Sequence, residues 1–182
     1  TTNFYPTTIL PSNTIPNTDV FYTGSFYRGR TQTLFDIISK CEQLNLHVHC
    51  HLFAKRTKYF KGRKLSTTKA VLSYEQNIQY TYNAKVLLDL KIQEHDGLSF
   101  RILEAVGFEK KIITTNFRVR DFDFYHPDNI LIWSDQSKEE LEAFINKPYV
   151  PLPIEVKQKY SFKNWIRYMV NEGDYTAIEL PK

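Results

Sequence analysis

The run KVLLDL at residues 85–90 limits the possible folds of this chain more than any other stretch, because Val86, Leu87 and Leu88 are consecutive apolar residues. A strand turns successive side chains to opposite faces, so neither face of this one could meet water. Strands buried on both faces belong to parallel sheets covered by helices on each side. The neighbouring patterns agree. Asp19 to Gly24 is a short β-rich run, followed by Leu34, Ile37, Ile38, Cys41 and Leu44 at helical spacing. His47 to Ala54 alternates with period two and predicts a strand.

The order then repeats. A short apolar run covers Ala70 to Leu72, and Ser73-x-x-Gln76 is a capping box that opens a helix before residues 85–90. A helix is expected from about Leu98 to Val106, stopped at Gly107, then strands at Lys110 to Thr115 and Asn129 to Trp133. A second capping box, Ser137-x-x-Glu140, opens a helix to Ile145. Phe162, Trp165, Ile166, Met169 and Val170 form the apolar stripe of a closing helix from about Ser161 to Glu172. The expected fold class is therefore α/β, a doubly wound and mainly parallel Rossmann-like sheet with helices on both faces. Residues 1–18, with Pro6, Pro11 and Pro16, read as an extended leader or linker, and residues 19–182 as one domain.

Composition excludes several classes. With 42% hydrophobic residues the 182-residue chain lies outside the disordered regime. No run approaches the roughly 20 apolar residues of a membrane span, and no signal-peptide pattern opens the chain. The net charge of +4 is too small to make a polyanion the default partner. Cys41 and Cys50 have neither disulfide-framework nor zinc-site spacing and read as two small buried thiols, consistent with a reducing cytoplasm.

In a doubly wound sheet, ligands bind beyond the carboxyl ends of the strands. After residues 85–90 come Asp96-Gly97, then the start of a helix whose free amides and dipole suit an anion such as a diphosphate. Glu104-Ala105, Gly107 and Lys111-Ile112-Ile113-Thr114-Thr115 follow, so that two acids, Asp96 and Glu104, stand with seven residues between them. In these features the chain resembles the donor-binding, C-terminal domain of GT-B fold glycosyltransferases of bacterial lipopolysaccharide and capsule biosynthesis. The likeness is detailed from Lys85 to Asn116 and looser from Asp19 to about Val170.

The resemblance implies that Glu104 binds the ribose hydroxyls, that Asp96 is the catalytic acid contacting the transferred sugar, and that Gly97, Leu98 and Ser99 hold the diphosphate. The family's first acid is usually Glu rather than Asp, and Glu94 is the nearby substitute. The implied function is transfer of a sugar from a nucleotide diphosphate sugar to a cell-surface glycan or lipid-linked acceptor. No metal or other cofactor is expected. An N-terminal acceptor-binding domain would complete the enzyme, because about 180 residues cannot hold both halves. A cytoplasmic location, at the inner face of the membrane, is implied.

Other residues carry readings of their own. In the GSFYRGR loop, Gly24 permits close approach of backbone to ligand, and Arg28 or Arg30 could neutralise a leaving diphosphate. Tyr74 stands where it could stack on the base or pack on its helix. His47, His49 and His51 share one strand face, but such residues diverge, which favours an exposed or helix-covered face over a metal site. The basic and aromatic loop 55–64 reads as solvated, as a contact for anionic lipid headgroups, or as a single-stranded nucleic-acid binder. Asp121-x-Asp123 lies in an aromatic loop of packing residues. The rival functions are a non-enzymatic nucleotide-binding or regulatory α/β domain, and a nucleic-acid binder through loop 55–64.

Overall fold

Parallel pairing runs through the whole sheet, as a strand without a polar face requires. The computed structural model describes residues 3–6, 17–54, 67–68, 70–92 and 97–179. Among them, strands β1 (Thr18–Ser25), β2 (Val48–Phe53), β3 (Thr67–Thr68), β4 (Ala84–Asp89), β5 (Lys111–Thr114) and β6 (Ile130–Ile132) form one sheet in the order β3-β2-β1-β4-β5-β6. Every neighbouring pair is parallel. Helices α1 (Arg28–Gln43), α2 (Tyr74–Asn83), α3 (Phe100–Phe108), α4 (Lys138–Asn146), α5 (Ile154–Lys159) and α6 (Phe162–Val170) accompany it. The domain is α/β and Rossmann-like, as the sequence pattern predicts.

The pleat divides the buried residues into two cores. Val86 and Leu88 of β4 join Val20 and Tyr22 of β1 under α1 and α4, which contribute Leu34, Ile37, Cys41, Leu141 and Phe144. Leu87 and Phe21 face the other way, toward α3 and the partly buried Tyr80 of α2. The two thiols are buried in the first core, and burial pushes both up to about 12, which keeps them protonated. His49 of β2 stacks on Tyr80 with ring centroids 4.3 Å apart, so the helix-covered reading of the histidine face holds at that position. His51 Nε2 donates to the Ala70 carbonyl at 3.0 Å instead.

Both capping boxes form, Ser73 with Gln76 and Ser137 with Glu140. Several expectations need correction. The short strand β3, just before the apolar run Ala70 to Leu72, was not expected. The helix α5 and a 3-10 turn at Phe117–Asp121 were not expected, since both are too short to show a period. β1 begins at Thr18, one residue inside the expected leader. Residues 3–6 of that leader dock on the domain, with the Tyr5 amide donating to the Tyr160 carbonyl at 3.1 Å and the Phe162 amide to the Tyr5 carbonyl at 3.0 Å.

Gly107 does not stop α3. The helix continues through Phe108 and ends at Glu109, which adopts the left-handed conformation usually left to glycine. A side chain at Gly107 would place its Cβ 2.2 Å from the Tyr5 ring. This glycine clears a place for an aromatic residue about a hundred positions earlier, which a local helix-stop rule cannot show.

Candidate functional site

The chain leaves β1 into α1 on one face of the sheet and leaves β4 toward α3 on the other. These two strands are neighbours, so their carboxyl ends flank the topological switch point, where the connections part and open a crevice. A cavity of about 550 Å³ lies there, lined by Arg30, Asp89, Gly97, Ser99, Phe100 and Asn116 among others. Ligand cavities commonly span about 300–1,000 Å³.

Arg30 spans the two strand ends. Its Nη1 donates to the Leu90 carbonyl at 2.9 Å and its Nη2 to the Ser25 carbonyl at 2.8 Å. Gly24 makes this possible, because a Cβ there would come within 3.2 Å of Nη2 and 2.9 Å of the Tyr22 hydroxyl. Arg30 is in the first turns of α1, where no acidic residue balances the positive end of the helix dipole. Among the described residues, its Nε is buried without a hydrogen-bond partner.

On the opposite wall, Ser99 caps α3 by accepting from the Ile102 amide at 3.4 Å, and its hydroxyl donates to Asp89 Oδ1 at 2.7 Å. Thr114 at the end of β5 donates to Asp89 Oδ2 at 2.8 Å and accepts from the Asn116 amide at 3.0 Å. Asn116 Nδ2 in turn donates to the Gly97 carbonyl at 3.1 Å. These bonds fix the start of α3 to the ends of β4 and β5. A Cβ on Gly97 would meet nothing within 4 Å, so this glycine keeps the space beside the helix start open.

The fold therefore brings Arg30, Gly97, Leu98 and Ser99 together around one cavity, with Gly24 beneath the arginine. Arg28 is exposed on α1 and Tyr74 is half exposed at the start of α2; neither lines the cavity. Asp96, its substitute Glu94 and loop 55–64 lie outside the described residues. Asp89, Asn116 and Asn3 also line the cavity, and none of them belongs to a motif visible in the sequence. Asp89 carried a signal: a carboxylate in a strand buried on both faces has to be paired, and this one sits at the carboxyl end.

Glu104 lies in the interior of the domain. It is 1% exposed and does not line the cavity. Residues Ile102, Leu103, Glu104, Ala105 and Val106 of α3 are all buried, and five positions at about 100° each go right round a helix, so α3 is enclosed on every side at that level. Burial raises the Glu104 carboxyl above its ordinary range, the nearby Arg101 opposes this in part, and Oε2 has no hydrogen-bond partner among the described residues. Arg101 is itself engaged with α2, donating to Thr81 Oγ1 and Asn77 Oδ1, each at 3.1 Å.

A raised carboxyl binds its proton more tightly in the folded state. Glu104 therefore favours folding below the ordinary glutamate value, and that contribution is lost as pH rises through the folded pKa. Glu104→Gln has no such titration. In urea unfolding at several pH values above about 4.3, the stability of the native chain minus that of the variant should fall as pH rises. A flat or rising difference would contradict the buried carboxyl.

Asp123 accepts from Tyr160 Oη at 2.6 Å and from Lys159 Nζ at 2.9 Å, which ties this loop acid to α5 and its C-terminal end. Among the described residues no group of three or more His, Cys, Asp or Glu could hold a metal ion. No described helix is long and apolar enough to cross a membrane. No model of a known protein family matches the chain, and no curated protein matches it either.

Proposed function

We propose that this domain is the donor-binding half of a glycosyltransferase, holding the diphosphate of a nucleotide sugar in the cavity between the carboxyl ends of β1 and β4. The observation that carries this reading is the pairing, across one switch-point cavity, of the capped start of α3 with the Arg30 guanidinium. Helix amides and an arginine can together hold a diphosphate without a metal. The order β4, α3, β5 also matches the order of the motifs in the GT-B resemblance. That likeness extends the proposal to transfer onto a bacterial cell-surface glycan or lipid-linked acceptor, with an N-terminal acceptor-binding domain completing the cleft.

Calorimetric titration with ADP, GDP, UDP, CDP and dTDP, each beside its parent nucleoside and all in excess chelator, tests the reading. At least one diphosphate should bind tenfold or more above its nucleoside, the scale of about 1.5–3 kcal/mol for hydrogen bonds to charged groups. Binding of none of them would remove the proposal. Tight oligonucleotide binding with a steep salt dependence, and no preference for a mononucleotide, would favour a nucleic-acid contact instead.

A further inference from the structure

We propose that Asp89 reads the hydroxyls of the bound ligand, accepting hydrogen bonds from a ribose or sugar diol while the diphosphate lies toward Arg30 and the start of α3. This rests on the nucleotide-sugar reading of the same cavity and adds to it the group that recognises the sugar part.

The hydrogen-bond directions around Asp89 carry the argument. Ser99 Oγ and Thr114 Oγ1 each accept from a backbone amide, Ile102 and Asn116 respectively, so each spends its one proton on Asp89. Asp89 therefore accepts at both oxygens, from hydroxyls at 2.7 and 2.8 Å. An ionised carboxylate has about four lone-pair sites. Two are filled by these hydroxyls, and Asp89 lines the cavity although only 8% exposed. The remaining capacity is acceptor only. Such a group attracts hydroxyl or amine donors and repels phosphate, so it divides the cavity into an anion side and a hydroxyl side.

Glu104 cannot do this from its observed position. Glu104 is enclosed by α3's own neighbours and does not line the cavity. Asp89 is also fixed in place before any ligand arrives, because its two donors belong to the cap of α3 and the end of β5.

The test compares the native chain with Asp89→Asn, which keeps the shape and removes the charge. Three probes are titrated: the nucleoside diphosphate that binds most tightly, its 2′,3′-dideoxy analogue, and the corresponding nucleotide glucose. Asp89→Asn should weaken either the diphosphate or the nucleotide glucose by about tenfold or more, and should leave the dideoxy analogue within about twofold. Loss already present for the diphosphate assigns the ribose hydroxyls; loss confined to the nucleotide glucose assigns the sugar hydroxyls. Asp89→Ser, which keeps a hydroxyl partner for the cap, takes its place if thermal unfolding shows that Asn disturbs the fold. Equal weakening of all three probes would mean that Asp89 only holds the site together, and unchanged or tighter binding of all three would mean that it touches no ligand. Either result overturns the assignment. If the native chain binds no nucleoside diphosphate, the nucleotide-sugar reading and this assignment fall together.

Discussion

Phe21→Ala should lower the unfolding free energy by about 3–5 kcal/mol, the range for emptying a buried aromatic site. The ring is fully buried and joins four elements at once. It stacks on Tyr80 of α2 at 5.3 Å, lies 5.7 Å from His49 of β2, and carries the Arg101 guanidinium of α3 5.2 Å from its centroid. Alanine would leave a cavity between β1 and these partners and remove the surface on which Arg101 rests while it bonds to α2. In a domain of this size the midpoint of thermal unfolding should drop by roughly 10 °C. Phe21→Leu keeps most of the volume and should cost much less. Urea and thermal unfolding of both variants measure the effect; a loss below about 1 kcal/mol for alanine would mean that Phe21 does not bridge the two helices to the sheet.

Arg30→Met should reduce the affinity for a nucleoside diphosphate by about 10- to 100-fold, since it removes a charge-assisted donor from the wall of the cavity. It also removes the donors to the Leu90 and Ser25 carbonyls, so the ends of β1 and β4 lose their bridge. Arg30→Lys separates the two contributions. A lysine supplies the charge but cannot reach two carbonyls and a ligand with one planar fork. Affinity should therefore recover in part with lysine, while thermal stability stays below that of the native chain. Equal affinity for the native chain and the methionine variant would remove Arg30 from the site.

Much of the frame was legible in the chain itself because its signals are local. The consecutive Val86, Leu87 and Leu88 require burial on both faces whatever surrounds them, and β4 does feed both cores. Ser73 with Gln76 and Ser137 with Glu140 close their capping boxes within one turn, so three-residue spacing was enough to locate two helix starts. The doubly wound pattern also led to the expectation of a ligand beyond the carboxyl ends of the strands, whereas the strand order set which two of them, β1 and β4, flank the cavity.

What the chain could not show depends on partners distant in sequence. Gly107 looks like a helix stop, but the reason for it is the Tyr5 ring, which reaches α3 through hydrogen bonds to Tyr160 and Phe162. Glu104 looks like an exposed helical acid at a familiar spacing, yet packing on every side of α3 withdraws it from water and from the cavity. Asp89 looks like a break in an apolar strand, and only the meeting of Ser99 and Thr114 from two other elements turns it into a fixed acceptor on the cavity wall. Periodicity and capping are decided within a few residues, so the sequence alone determined most of the strands and helices and the expectation of a ligand beyond the carboxyl ends of the strands. Burial and hydrogen-bond direction are set by whatever packs against a residue, so the tertiary structure alone decided that Asp89 lines the cavity and Glu104 does not.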